Sequence, residues 1–312
     1  MKNYFIETYN LNKWYKEVMA LNKVTIKVGR GIVGLLGPNG AGKSTFLNIA
    51  TAQLRQSSGE IYIEGQEVWN NPNILKKFGF CPEQEKMFEW MTGRKFIREL
   101  AQISGIPRES ADKAAREAIA LVGLTDSMDR AIKGYSKGMR QRIKIAQAIV
   151  HDPQILFLDE PLQSTDPIVR RELVTLIQSL GREYGKDILI SSHILHEVER
   201  VTSNILLIYA GRAIAQGDIS TIRDLIDKYP QTVRIRTAKR KELASLLLDY
   251  DFVQNVELDR LSDDFMNIRI TKPDEFYEII TKLALESNIE ICEMASPDAD
   301  LEAVFTYLTR GW

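Results

Sequence analysis

The sequence predicts an α/β chain, a mixed sheet core with an antiparallel sheet and an inserted helical lobe, followed by a small α+β domain. Three observations predict it. The apolar run Ile32 to Leu36 leads through Gly37-Pro38-Asn39-Gly40-Ala41-Gly42-Lys43-Ser44-Thr45 into Phe46-Leu47-Asn48-Ile49, a strand, a glycine-rich loop and a helix start. Ile155 to Leu158 is wholly apolar and ends in Asp159-Glu160-Pro161, as a buried strand does at a ligand-binding sheet edge. From Val233 the periodicity resets into the order β-α-β-β-α-β, the split pattern of a ferredoxin-like fold.

Bulk properties bound the function classes. At 312 residues the chain is long for one domain, and a main domain with a smaller one is expected. Forty-one basic against 42 acidic residues leave a formal charge of −1, with no basic excess for nucleic acid and no acidic excess for disorder. The two cysteines, Cys81 and Cys292, are far apart and lack metal-ligand spacing, so plain buried thiols in a reducing compartment are expected. Met1 to Glu7 has no apolar core for a signal peptide, and no stretch approaches the ~18 apolar residues that cross a bilayer. A soluble chain is expected, its membrane role, if any, borrowed from a partner.

Taken in order, residues 4–9 and 23–28 alternate apolar with polar side chains and predict antiparallel strands. Between them, Tyr15 or Trp14 offers an aromatic face for a purine. The stretch from Gly37 to Thr45 fits G-x-x-x-x-G-K-[ST]: backbone N–H groups curl round phosphates, Lys43 neutralises their oxygens, Ser44 offers a hydroxyl to Mg²⁺, and Thr45 reaches a phosphate oxygen. The alternative is an ordinary glycine turn. Ser57 to Gly65 predicts a short strand between turns, and Phe78 to Cys81 another, with Glu83 and Gln84 at its end. Arg94 to Val122 turns helical, broken at Gly105-Ile-Pro107, within a lobe of about residues 84–150. Gly134-Tyr-Ser-Lys-Gly-Met-Arg-Gln-Arg142 opens a further helix with Ser136 as N-cap and Gly138 exposing backbone. Asp159 suits a Mg²⁺ shell and Glu160 a water-activating base. Asp166-Pro167 begins a helix, and Ile188 to His193 repeats the strand with a polar end, bringing His193 to the edge that Asp159 occupies. His151 and His196 are expected at the surface. A strand at Asn204 to Tyr209 closes the first domain, residues 1–225. The second, residues 230–312, should hold strands at 233–237, 253–258, 265–270 and 289–294, helices at 239–248 and 273–285, and a last helix at 301–308.

Read together, these stretches resemble the P-loop nucleotide-binding subunit of an ATP-binding cassette (ABC) transporter over roughly residues 4–225. The resemblance rests on Tyr15 as the adenine-stacking aromatic, the Walker A loop from Gly37 to Thr45, and the signature segment Tyr135-Ser-Lys-Gly-Met139. It rests further on the Walker B run ending in Asp159-Glu160, the D-loop aspartate Asp166 and the switch histidine His193. The ending Asp300 to Thr309 resembles the extension of exporter ATPases whose membrane subunit is a separate polypeptide. Three departures stand out. Glu83 with Gln84 beside it replaces the usual glutamine, with Glu83 favoured by register; Lys137 and Met139 stand in the signature; and the D-loop reads Gln163-Ser-Thr-Asp166.

The resemblance implies that two copies, or this chain and a close paralogue, face each other around ATP. Each ATP would lie between one copy's Walker A and the other's Ser136 and Gly138. Glu160, His193 and Lys43 would be catalytic, and Ser44, Asp159 and Glu83 would hold Mg²⁺. The chain would sit on the inner face of the cell membrane through an integral-membrane subunit, with no nucleic acid involved. Lys86-Met-Phe-Glu-Trp-Met91, rich in residue types enriched at interface cores, is the expected contact with that subunit, the alternative being packing of the lobe. Two rival functions are a soluble ABC ATPase acting on nucleic acid or the ribosome and a ligand-sensing regulatory module.

Overall fold

A long hairpin begins the chain: β1 (Tyr4–Tyr15) pairs antiparallel with β2 (Val18–Gly29). The expectation of two short strands at 4–9 and 23–28 is thus corrected, since Leu11 to Leu21 continues both strands around a turn at Lys16-Glu17. Bulges hid the continuity. Register shifts fall between Thr8 and Leu11 and on to Trp14, with Asn10 at φ +45° and Lys23 at φ +50°, and each shift resets which face a side chain meets.

The structure, a computed structural model, describes residues 4–163, 165–221, 231–259, 262 and 264–296. The chain divides into two units, Met1–Asp218 and Ile219–Trp312. In the first, β3 (Ile32–Leu36) enters a sheet of its own, while β4 (Ser58–Ile63) and β5 (Gln66–Glu67) extend the hairpin into an antiparallel sheet of order β2-β1-β4-β5. Strands β6 (Phe78–Cys81), β7 (Ile155–Leu158), β8 (Asp187–Ser192), β9 (Asn204–Tyr209) and β10 (Arg212–Asp218) join β3 in the order β10-β9-β3-β8-β7-β6. All neighbours in this second sheet are parallel except the β9-β10 hairpin. Arg30 ties the two sheets, its guanidinium reaching Glu64 at 2.5 Å and Asp187 at 2.6 Å.

The parallel strands are buried on both faces. Ile155, Phe157 and Leu189 join a core with the antiparallel sheet and α1 (Lys43–Ala50), while the alternate residues Leu156, Leu158, Ile188 and Ile190 face the helical side. After the short α2 (Pro72–Leu75), that side is built by α3 (Gly93–Ile103), α4 (Arg108–Leu121), α5 (Lys137–Ile149) and α6 (Pro167–Arg182). A short helix, α7 (Leu195–Glu199), follows β8.

In the second unit β11 (Gln231–Arg236), α8 (Arg240–Leu247), β12 (Val253–Leu258), β13 (Phe265–Ile270), α9 (Pro273–Glu286) and β14 (Glu293–Ala295) follow in sequence. Their all-antiparallel order β12-β13-β11-β14 is the split β-α-β pattern that the periodicity predicts. The last strand is shorter and later than the expected 289–294, because Ile289 turns into the core after α9. Cys292 is exposed, against the expectation of a buried thiol, whereas Cys81 is buried. The helix expected at 301–308 lies outside the described residues. Because each unit holds its own apolar core, a chain ending at residue 221 is expected to stay soluble and melt in one cooperative transition followed by circular dichroism. Insoluble product would show instead that the second unit completes the core of the first.

Candidate functional site

The edge where β3, β7 and β8 end gathers the charged residues. After β3 the chain turns through the glycine-rich loop into α1, whose first turn has neither a capping side chain nor an acidic residue. Thr92, Ser136 and Asp166, by contrast, cap α3, α5 and α6 with their side chains. The first N–H groups of α1 are therefore left for a ligand, an arrangement that suits an anion. Gly42 holds φ +108°, and a Cβ there would fall 2.6 Å from the Ala20 carbonyl oxygen, so β2 closes on the loop only because residue 42 is glycine.

Lys43 is 6% exposed and donates from Nζ to the carbonyls of Gly37 (2.7 Å) and Pro38 (3.3 Å). The same nitrogen lies 3.4 Å from Glu160 Oε1, and the other Glu160 oxygen lies 3.0 Å from His193 Nδ1. Glu160 thus stands between two cationic or proton-bearing groups. Its backbone holds φ +47°, a left-handed conformation that costs a non-glycine residue about 1–3 kcal/mol. Ser191 compensates locally: its hydroxyl accepts the Glu160 N–H at 2.9 Å and donates to Asp159 Oδ1 at 2.6 Å. Ser44 Oγ lies 3.4 Å from that Asp159 oxygen. Burial pushes the Asp159 carboxyl above the ordinary carboxylate range, and the hydroxyls of Ser191 and Ser44 draw it part of the way back.

In front of this edge opens a cavity of about 330 Å³ lined by residues 39–45 with Ala20, Glu83 and Glu160, a volume that suits a small molecule. Glu83, not Gln84, lines it, and the backbone is fixed there by buried Lys144, whose Nζ donates to the Glu83 carbonyl at 2.8 Å. Tyr15 stands outside the lining, exposed at the end of β1 with the Lys13 ammonium 5.4 Å from its ring centre. Ser136, Gly138 and Asp166 do not line the cavity. Ser136 caps α5 by accepting from the Met139 N–H at 3.3 Å, and Asp166 caps α6 by accepting from Ile168 and Val169. His196 is exposed as expected. His151 is not a surface residue: it is half-buried against the Phe78 carbonyl at 3.2 Å, and burial pulls its pKa down.

Comparison with known proteins gives the family. A family model described as ABC transporter matches residues 21–163. The chain is 30% identical to the daunorubicin/doxorubicin resistance ATP-binding protein of Streptomyces peucetius, over 97% of this chain and 92% of that protein. The chain belongs to the ABC transporter ATP-binding proteins. It is also 34% identical to a bacitracin transport ATP-binding protein of Enterococcus faecalis over 73% of this chain and 74% of the relative. A solved ATP-binding subunit of an ABC transporter superposes with a TM-score of 0.63 at 27% identity, over 71% of this chain and 93% of that one. A dimeric ATP-binding cassette bound to ADP and Pi has the same fold, with a TM-score of 0.63 at 23% identity, over 69% of this chain and 98% of that one.

This ABC protein is therefore the ATP-hydrolysing, nucleotide-binding component of a transporter. Two residues that matter to its geometry carried weak sequence signals. Ser191 sits in Ser191-Ser192-His193, where the histidine draws the eye, and Lys144 sits in Ile143-Lys144-Ile145, as if on a solvated turn of an amphipathic helix. The Asp159 shift yields a prediction. A carboxyl harder to ionise in the folded than in the unfolded chain favours folding below the unfolded pKa, and that contribution is lost as pH rises through the raised folded value. Ionising Asp159 in the folded chain therefore costs stability. Asp159→Asn should raise the melting temperature of the nucleotide-free protein by about 2–4 °C while abolishing hydrolysis. A lowered melting temperature would show that the carboxylate is a net stabiliser.

Proposed function

We propose that two copies of this ABC ATPase close around ATP and drive a separate integral-membrane subunit from the inner face of the cell membrane, as an exporter. The observation that carries the hydrolytic part is the Glu160 carboxylate held between Lys43 and His193 at the rim of the phosphate loop. In this reading residues 37–45 bind the phosphates, Lys43 and His193 stabilise charge on the γ-phosphoryl group, and Glu160 orients and deprotonates the attacking water. Positioning and electrostatics carry such a transfer. Tyr15 would stack on adenine. Ser136 and Gly138 would meet the ATP of the partner copy, with Asp166 beside them. The donor set fits Mg²⁺: the Ser44 hydroxyl and the Asp159 carboxylate are hard oxygens 3.4 Å apart, and Glu83 lines the same cavity. Bound there, the ion would neutralise phosphate charge.

The export reading draws on the drug-resistance and bacitracin-transport names of the relatives. A separate membrane subunit accords with the described residues, which include no helix long and apolar enough to cross a bilayer. Residues 1–225 would be the ATPase domain and residues 230–312 an accessory one. Within Lys86 to Met91 the side chains divide: Met87 and Met91 pack against the core of the helical lobe, whereas Phe88 is 58% and Trp90 67% exposed, their rings 6.3 Å apart. The exposed pair is the proposed contact with the membrane subunit.

Glu160→Gln should keep ATP affinity and lower turnover by about 10²- to 10⁴-fold, the range for loss of a general base. Turnover at the parent rate would remove Glu160 from that role and make Glu83 the candidate. Phe88→Ala with Trp90→Ala should leave ATP binding and melting temperature unchanged while weakening co-purification with the membrane subunit. An intact complex with transport still tied to hydrolysis would sink the contact.

A further inference from the structure

Behind His193, and away from the cavity, lies a buried charge that the hydrolytic reading leaves unused. Glu197 in α7, four residues after His193, is 2% exposed. Its Oε1 lies 3.2 Å from Arg170 Nη1 on α6 but makes no directed hydrogen bond, and Arg170 Nε is likewise buried without a hydrogen-bond partner. The remaining arm of the guanidinium, Nη2, donates to the carbonyl of Thr165 at 2.9 Å, immediately before Asp166. One guanidinium therefore reaches both the loop ahead of α6 and the helix that continues from His193.

An imperfectly bonded ion pair with its carboxylate buried and its guanidinium 27% exposed is a poor device for stability, because the carboxylate is desolvated without a full set of donors. Fixing a geometry is the better-attested use, and here the elements fixed both bear on the site. Helix α7 sits directly on the strand that feeds the phosphate loop: a Cβ at Gly34 of β3 would fall 2.2 Å from Val198 Cγ1. Gln178 adds a second tie from α6, donating to the Arg200 carbonyl at 2.7 Å.

We propose that Arg170 and Glu197 are positioning residues of the ATPase, joining the Thr165-Asp166 loop to the His193 helix so that the two adjust together. The inference rests on Glu160 and His193 forming the hydrolytic site. The guanidinium is needed because an ammonium is a single point donor, whereas the planar fork serves two acceptors at once.

Three variants of the full chain test it: Arg170→Lys, Glu197→Gln, and the apolar double variant Arg170→Met with Glu197→Leu. ATP affinity without hydrolysis, kcat, KM and melting temperature are measured for each. The expected result is a kcat about 10- to 100-fold lower with affinity and KM unchanged, the signature of a misplaced reacting group. The apolar double variant should melt at or above the parent temperature and still be slow. Parent kcat in Arg170→Lys or in a stable double variant overturns the proposal, as does a fall in ATP affinity that matches the fall in kcat. Should the double variant fail to fold, Arg170→Lys decides alone. Glu160→Gln run alongside separates the two readings: if it hydrolyses at the parent rate the hydrolytic assignment fails, and if it is inactive while Arg170→Lys is fast only the positioning role fails.

Discussion

Two adjacent carboxylates closed off from water at the end of an apolar strand set the terms for everything around them. Asp159 and Glu160 follow four buried residues of β7, and an ionised carboxyl in such a place is unfavourable unless donors meet it. The parallel register supplies those donors. Leu158 stands opposite Ile190, so the next residues, Asp159 just past β7 and Ser191 still within β8, arrive together, and the hydroxyl of one meets the carboxylate of the other. Leu36 stands opposite Ser192, so the phosphate loop begins level with His193. Strand register thus does the assembling, and the loops inherit it.

The arrangement trades stability for readiness. Burial disfavours a charge on Asp159, Glu160 holds a left-handed backbone, and the start of α1 forgoes the side-chain cap that α2, α3, α5 and α6 have. Each would be a defect elsewhere in the chain. Together they leave the N–H groups at the start of α1, the Lys43 ammonium and the Glu160 carboxylate facing one cavity, with Asp159 held behind Ser44. Fixed dipoles and charges need no reorganisation during reaction, which is where such sites gain most of their effect.

How far the sequence could be read depended on whether a feature was local. Gly37 to Thr45 and Ile155 to Glu160 are contiguous, so their spacing alone reported strand, loop and acid pair. The order of the second unit was legible for the same reason, as each element there alternates or cycles within its own segment. The hairpin from Tyr4 to Gly29 was not, because bulges break the alternation on which a strand is recognised. Ser191 and Lys144 escaped because their partners, Asp159 and the Glu83 carbonyl, lie 32 and 61 residues away, and only register and helix packing bring them together. Cys292 and His151 were misplaced for the converse reason, burial being a property of the neighbours and not of the residue.

The residues that the cavity leaves out are themselves connected. Ser136 accepts the Met139 N–H to start α5, which leaves its hydroxyl proton available to an outside acceptor. Two residues on, a Cβ at Gly138 would fall 2.9 Å from Val169 Cγ1, so the start of α5 is seated on the first turn of α6. That turn is capped by Asp166 and carries Arg170, whose guanidinium reaches the helix after His193. Contacts therefore run from the start of α5 through α6 to α7 outside the phosphate cavity. Should a second copy close on Ser136 as proposed, that contact and the proposed hydrolytic pair would be joined through the meeting of α6 with α7 at Arg170 and Glu197.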